Sequence, residues 1–223
     1  MQNRSIRYNN YTHHLILSNN HTGDLKMADK EDLRVIKTKR NIESTFLRLL
    51  KEKTFEKITV LMLLDEALIS KGTFYAHYLD KYDLAEKTAN RFLNEFRSSI
   101  QERLKGILDK KDTDSLWNSM LKTLNTVIPE LNSLKKIHTE NINVEKSMRQ
   151  IFAEEYAIFL KQQNIAIPNP DMQSFIFSAL AMSYLNYLQE TPNFISVYEY
   201  IKTLHNLTGQ YLTQLNIIEK QHK

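Results

Sequence analysis

Residues 54–84 read TFEKITVLMLLDEALISKGTFYAHYLDKYDL. Its pattern predicts a short helix over about Thr59–Ala67, a three-residue turn, and a second short helix over about Lys71–Tyr78. Asp80 is expected to cap a long helix that follows, because the helix dipole favours carboxylates there. Two short helices joined by such a turn predict a helix-turn-helix, whose second helix enters the major groove of DNA.

This stretch closely resembles the DNA-binding domain of the TetR family of bacterial transcription regulators. In that family an Ile-Thr-Val start, an Ala near the turn and a Ser-x-Gly-Thr-Phe-Tyr-x-His-aromatic-x-Asp-Lys-x-Asp-Leu run recur in this order, as they do here. The resemblance covers about residues 31–84, and GTFYAHYLDKYDL is its most specific portion. The C-terminal half matches the family only in length and helicity.

The resemblance implies a set of DNA-contacting residues, and their chemistry suggests separate roles. A phenol and an imidazole donate hydrogen bonds to phosphate oxygens, which suits Tyr75 and His77. Gly72 either lets the backbone approach the duplex or accommodates packing between helices. Lys81 is expected to clamp a phosphate at a helix start, where exposed amides already favour anions. The predicted DNA-binding residues are Thr59, Ser70, Lys71, Gly72, Thr73, Tyr75, His77 and Lys81.

Four positions of the motif need separate comment. Thr59 is expected to cap the first helix, with or without a hydroxyl contact to phosphate. Phe74 is expected in the core, where it locks the recognition helix to the first two helices. Leu68 stands where the family often has Gly in the turn, and Leu64 replaces a small residue. Leu68 must therefore avoid or tolerate a left-handed conformation, so the operator sequence cannot be inferred by analogy.

The composition favours an all-α protein. The 223 residues include only four Gly and four Pro, too few for the turns of an all-β fold or a Gly-rich nucleotide fold. No apolar run approaches the roughly 18–20 residues that span a bilayer, so no membrane is expected as a partner. The absence of cysteine excludes disulfides, thiolate nucleophiles and Cys-ligated zinc, and it fits a cytoplasmic location.

The charge pattern and the motif together suggest how the chain is divided. Thirty Lys and Arg stand against 26 Asp and Glu, and the excess is clearest in the first helix. From Lys30 to Lys57 there are nine basic and five acidic residues, a balance that permits binding to a polyanion.

We expect a disordered extension over 1–27, a three-helix helix-turn-helix domain over 28–84, and a helical bundle for ligand binding and dimerisation over 85–223. The first 26 residues either are disordered or come from an upstream start codon. The alternative is that they form a functional, positively charged extension.

Capping and proline signals divide the C-terminal half into further helices. Asp112-Thr113 and Asn143 are expected to cap helix starts, and Pro129 to end or kink a helix. Asn169-Pro170 places proline at the first helical position after a capping Asn. Asn193 is expected to begin the last helix. The adjacent Lys135 and Lys136 are expected on a solvated surface.

The last helix is predicted to pack along a seam against another helix. Its seam positions alternate three and four residues apart: Phe194, Val197, Ile201, Leu204, Thr208, Tyr211, Leu215 and Ile218. The preceding helix carries small residues that allow close approach: Ser178, Ala179, Ala181 and Ser183. The TetR resemblance implies a homodimer formed by the last two helices as a four-helix bundle. The alternative is a core within one chain.

Aromatic residues and Met on the middle helices imply, through the same resemblance, a cavity for a small-molecule effector. Such side chains are more often core than pocket. The predicted ligand-binding residues are Trp117, Leu121, Phe152, Tyr156 and Phe175. The histidines show no spacing with carboxylates that suggests a metal site, and phosphate loops and nucleophile elbows are absent. No catalytic residue, metal or cofactor is predicted.

The predicted function is a homodimeric, ligand-responsive transcription regulator that binds a palindromic operator in double-stranded DNA. A repressor is the expected form. The alternative keeps the fold but makes the chain an interaction protein, either a co-activator or a cell-division factor with weak operator specificity. An enzyme is expected least, because no catalytic motif is present.

Overall fold

Helices account for almost all of the structure, a computed structural model that describes residues 25–108, 127–139, 141–162, 168–191 and 197–221. The helices are α1 (Leu25–Glu52), α2 (Val60–Ala67), α3 (Lys71–Tyr75), α4 (Lys81–Leu108), α5 (127–134), α6 (Val144–Gln162), α7 (Pro170–Glu190) and α8 (Val197–Gln221). A 3₁₀ turn spans Phe55–Lys57 between α1 and α2. The predicted all-α class is confirmed.

Contacts between residues divide the chain into two units, Met1–Arg40 and Asn41–Lys223. In the first unit, the described residues form the N-terminal part of α1. Residues 25–27, which belong to the predicted disordered extension, are helical. The second unit contains the helix-turn-helix and the later helices. The expected boundary between residues 84 and 85 stays a prediction.

The core of the helix-turn-helix is built on the predicted face of α1. Ile42, Phe46, Leu49 and Leu50 recur at spacings of three and four and are all buried. Phe55 of the 3₁₀ turn packs edge-on against Phe46, with 6.2 Å between the ring centroids. Because these rings and aliphatic side chains leave water together, α1 fixes the positions of the two short helices.

The turn between α2 and α3 uses leucine where glycine is the usual choice. Leu68 adopts the left-handed conformation at φ 53° and ψ 47°, and its side chain is 91% exposed. The Ile69 amide donates to the Leu64 carbonyl over 3.1 Å, which closes a Schellman-type helix end. Asn41 ties this end to α1, because its Nδ2 donates to the Ala67 carbonyl over 2.8 Å.

Beyond the helix-turn-helix, α4 packs against α6 and α6 packs against α7. Buried residues from these helices form one continuous cluster that includes Phe92, Phe96, Phe152, Met182 and Leu185. Phe96 and Phe152 meet edge to face with 5.1 Å between their centroids, a favoured aromatic geometry. Phe92, Phe96 and Phe152 therefore serve as core.

Two predicted helix starts are confirmed by their cap bonds. Asp80 Oδ1 accepts from the amides of Tyr82 and Asp83, both over 2.8 Å. Asn143 Oδ1 accepts from the Lys146 amide over 2.9 Å. Each side chain satisfies amides that the helix itself leaves without a partner.

Two predicted proline signals need correction. Pro170 is the first residue of α7, but Asn169 has φ 51° and its side chain makes no cap bond. The left-handed backbone turns this Asn away from the extended conformation that capping requires. Pro129 does not end a helix, since 127–134 is helical around it, and the alternative of a kink there stays a prediction. The predicted starts at Asp112 and Asn193 lie outside the described residues.

Replacing Leu68 with glycine is expected to raise the free energy of unfolding by about 0.5–1 kcal/mol, because glycine occupies the left-handed region without a Cβ clash. Urea unfolding monitored by circular dichroism measures the change. Leu61→Gly is the control, because Leu61 is also exposed but lies within α2, where glycine destabilises. A Leu68→Gly protein less stable than the wild type would contradict the expectation.

Candidate nucleic-acid interface

Both short helices of the motif begin with a side-chain cap. Thr59 Oγ1 accepts from the Met62 amide over 3.2 Å, so the predicted capping role of Thr59 is confirmed. Ser70 Oγ accepts from the Thr73 amide over 3.1 Å and lies 2.8 Å from Thr73 Oγ1. These caps fix the first turn of each helix, where the predicted DNA contacts begin.

The first turn of α3 presents exposed polar residues. Lys71 and Gly72 are exposed, Thr73 is half-buried and the Tyr75 side chain is 46% exposed. The Lys71 ammonium lies 5.9 Å from the Tyr75 ring centroid, within the range of a cation–π contact. A cation and a phenol therefore occupy the same exposed side of the helix.

The surroundings of Gly72 do not require a glycine. A Cβ added there would meet only Ser70 Oγ, at 3.8 Å, which is an ordinary van der Waals distance. Packing inside this chain therefore does not explain the residue, and the packing alternative loses support. Close approach of the duplex backbone stays the predicted reason for Gly72.

Phe74 holds α3 in place from the opposite side. Its side chain is fully buried, as predicted, and its ring lies 5.7 Å from the Tyr78 ring, centroid to centroid. The backbone carbonyl of Phe74 accepts from the amides of His77 and Tyr78, which continues the turn beyond Tyr75. The half-buried His77 thus follows directly on α3, and its phosphate contact stays a prediction.

Lys81 has a structural role that the sequence did not indicate. Its ammonium donates to the carbonyls of Phe55, Glu56 and Ile58 over 3.0–3.1 Å. It also lies 4.8 Å from the Phe55 ring centroid. An ammonium has three donors, and all three are used here. Lys81 therefore holds the 3₁₀ turn against α4, and a phosphate would have to compete with those carbonyls.

Asp83 stabilises the loop between α3 and α4. Its Oδ2 accepts from the Leu79 amide and from Lys87 Nζ, both over 2.8 Å. Burial raises the pKa of this carboxyl, but the hydrogen bonds from Lys87 and Leu79 outweigh burial and leave the pKa below its usual value. The carboxylate is thus ionised where the loop needs an acceptor.

A cluster of charges around Arg91 joins the helix-turn-helix to α5. Arg91 Nε donates to Glu43 Oε2 of α1 over 2.6 Å, and the same guanidinium pairs with Glu95 and with Glu130 of α5. The Tyr78 hydroxyl donates to Glu43 Oε1 over 3.1 Å. Burial raises the Glu130 pKa against the opposing effect of Arg91. Sequence reasoning missed this cluster because its members are far apart along the chain. Arg91 lies 48 residues from Glu43 of α1 and 39 residues from Glu130 of α5.

A second connection links the corner between α5 and α6 to the end of α1. Lys136 Nζ donates to the Leu50 and Lys51 carbonyls over 2.8 and 2.9 Å. A cation at these carbonyls also interacts favourably with the negative end of the helix dipole. Lys135 pairs with Glu145 over 2.8 Å. Lys136 is exposed, as expected, and Lys135 is half-buried, so both lie at the surface but also hold specific partners.

Of the predicted effector residues, the structure describes Phe152, Tyr156 and Phe175, and these three do not all lie in the interior. Phe152 is buried, and Tyr156 stacks on Phe177 with 4.1 Å between centroids. Phe175 is 64% exposed and does not share their interior position, because it faces outward from α7. Trp117 and Leu121 lie outside the described residues.

A pocket of about 430 Å³ lies instead at the corner between α5 and α6, lined by residues between Leu134 and Glu145. None of the three predicted ligand-binding residues that the structure describes lines it. Its lining includes Lys135, which directly precedes Lys136, the lysine that donates to the carbonyls of α1. In the part of the chain that the structure covers, no group of His, Asp or Glu is arranged to hold a metal ion.

Helices α7 and α8 carry exposed apolar side chains on their outer faces. On α7 these are Met172, Phe175, Ile176, Leu180 and Tyr187, and on α8 they are Tyr198, Ile201 and Leu207. The seam residue Ile201 is 57% exposed. The Tyr200 hydroxyl donates to the Leu180 carbonyl over 3.1 Å and joins the two helices. None of the helices, over the residues described, is long and apolar enough to cross a membrane.

A solved structure shares this fold. The reduced form of E. coli NemR matches with a TM-score of 0.51 and 15% identity, over 76% of this chain and 97% of that chain. A gamma-butyrolactone receptor described as ArpA-like matches with a TM-score of 0.41 and 18% identity, over 70% of this chain and 85% of that chain. No family model and no curated protein matches the sequence. The likeness to NemR shows a common fold.

Replacing Lys81 with methionine is expected to lower the free energy of unfolding by about 1–3 kcal/mol, since partly buried carbonyls lose their donors while the apolar stem is kept. Lys57→Met is the matched control, because it removes the same charge from an exposed lysine of the 3₁₀ turn that Lys81 contacts. Denaturant unfolding compares the two. Equal stabilities would mean that the three hydrogen bonds contribute nothing.

Proposed function

We propose that the chain is a dimeric DNA-binding transcription regulator that responds to a small-molecule ligand, and that it acts as a repressor. The observation that carries this proposal is the geometry of α3. Phe74 anchors one side in the core, while Lys71, Gly72 and Tyr75 face solvent on the other. The resemblance of residues 54–84 to the TetR family supports the same function.

In this proposal, the first turn of α3 enters the major groove. Lys71 contacts base edges or backbone, and the hydroxyls of Thr73 and Tyr75 donate to phosphates, which position the helix. Gly72 permits the duplex to approach. Thr59 and His77 contact phosphate from the flanks of the motif. Lys81 acts by holding the 3₁₀ turn in place.

A palindromic operator requires two such helices, held roughly 34–36 Å apart by twofold symmetry. The exposed apolar faces of α7 and α8 support a homodimer, because contiguous apolar surface on a soluble protein marks an interaction site. Ile176, Leu180 and Ile201 would lie at its centre. The unknown effector would bind among α4–α8 and favour one separation of the recognition helices over another.

The contacts of Arg91 and Lys136 support a mechanical connection for that response. Both residues join α1 to elements of the C-terminal half through hydrogen bonds shorter than 3 Å. A ligand that binds one position of α5 more tightly than another would therefore change the position of α1 and of the helices packed on it.

Selection of bound sites from random duplex DNA is expected to yield one palindrome. On that site Lys71→Ala and Tyr75→Ala should each weaken binding roughly 5- to 150-fold, which corresponds to a lost contact of about 1–3 kcal/mol. Lys146→Ala, at an exposed position of α6, is the control and should bind like the wild type. Enrichment of no sequence, or full binding by both α3 variants, would contradict the proposal.

The double variant Ile176→Glu and Ile201→Glu is expected to be monomeric, because burying two carboxylates against their symmetry mates is strongly unfavourable. Sedimentation velocity should give a dimer for the wild type and for Leu79→Glu, a control at a 79% exposed leucine in the α3–α4 loop. A wild-type monomer, or a dimer that survives the double variant, would show that these faces are not the interface.

A further inference from the structure

The segment that holds the two short helices of the helix-turn-helix carries no net positive charge. Residues 41–87, all of them described, contain seven basic and eight acidic residues. Within α2, the turn and α3, Asp65 and Glu66 stand against Lys71 alone. Duplex DNA carries one negative charge for about every 1.7 Å of its axis, and neutralising phosphates supplies most non-specific affinity. The motif therefore needs cations from elsewhere in the chain.

Several cations of the motif are already occupied by other groups. Arg48 pairs with Glu66 over 2.7 Å, and Lys87 pairs with Asp83 over 2.8 Å. Lys81 donates to three carbonyls. A cation already paired with a carboxylate brings little net charge to a phosphate.

The eight residues before the segment 41–87 have the opposite balance of charge. Residues 33–40 read LRVIKTKR and contain four basic residues and no acidic one. We call them the basic arm. The side chains of Arg34, Lys37, Lys39 and Arg40 are all exposed, and none of the four forms an ion pair with any residue that the structure describes.

The basic arm is part of α1, which continues without a break to Glu52. From Arg34 to Arg40 the helix rises about 9 Å, a length that spans more than two phosphates of one strand at about 3.4 Å each. Because the arm is joined covalently to the motif, binding of one raises the effective concentration of the other at the same duplex.

We propose that the basic arm binds the phosphate backbone of double-stranded DNA and supplies the counterion release that the helix-turn-helix lacks. The inference rests on the proposed DNA-binding function and adds a second contact surface to it. The arm carries no sequence readout, because phosphate contacts position a protein without distinguishing bases. It strengthens binding to every duplex, operator or not.

The experiment measures binding of the full chain to a fluorescent 30-base-pair duplex of random sequence across a range of KCl concentrations. The arm variant is Arg34→Gln, Lys37→Gln, Lys39→Gln and Arg40→Gln, because glutamine keeps the helix and removes the charge. The matched control removes four positive charges from exposed positions of α4 and α6: Lys105→Gln, Lys146→Gln, Arg149→Gln and Lys161→Gln. A third protein, Arg34→Lys and Arg40→Lys, keeps the charge.

Relative to the control, the arm variant should lose about 0.9 in the slope of log K against log salt for each phosphate contact removed. Its affinity at about 0.1 M salt should fall tenfold or more, and the charge-conserving variant should retain the wild-type slope. Circular dichroism should show that all four proteins keep the same helix content.

The possible failures can be told apart. If the arm variant and the control have the same slope while the wild type binds, the arm proposal is overturned and the proposed function stands. If the wild type binds no duplex at low salt, both are overturned. Leu33 and Ile36 in the arm are 53% and 38% exposed, so anionic phosphatidylglycerol vesicles are tested in parallel. If the arm variant bound vesicles more weakly than the control but bound DNA equally well, the proposal would also be overturned.

Discussion

The burial of Phe74 is the constraint on which the helix-turn-helix depends. Helix α3 has five residues, and isolated helices shorter than roughly 12–15 residues are marginal in water. Its stability must therefore come from packing and from its cap at Ser70 rather than from its own backbone bonds. The fully buried ring fixes the rotation of α3 about its axis. That rotation leaves Lys71 and Tyr75 facing solvent, so one buried side chain sets the direction of the others.

Much of this local structure could be predicted from the sequence because it depends on nearest neighbours. The spacing of Ile42, Phe46, Leu49 and Leu50 identified the buried face of α1. Asp80 and Asn143 are predictable as caps, because each places a short side-chain oxygen acceptor directly before a helix. The end of α2 could be located as well, although only the structure shows that Leu68 tolerates the left-handed conformation.

The remaining contacts depend on side chains that reach across the fold. Lys81, Arg91 and Lys136 have long, flexible side chains, and their partners lie 23 or more residues away in sequence, apart from Glu95. No local pattern records which carbonyl or carboxylate will be near. Exposure of Phe175 could not be predicted for a similar reason, since an aromatic residue on an apolar helix suits either a core or an interface. Trp117 and Leu121 stay predictions.

The bond from Lys136 to the end of α1 has a consequence for how the protein can be dissected. A fragment that stops after α4 would keep every residue of the motif. It would also lose the donor for the Leu50 and Lys51 carbonyls and one carboxylate partner of Arg91. Truncation after α4 would thus fray the last turn of α1. The isolated motif would not keep the structure that it has in the intact chain.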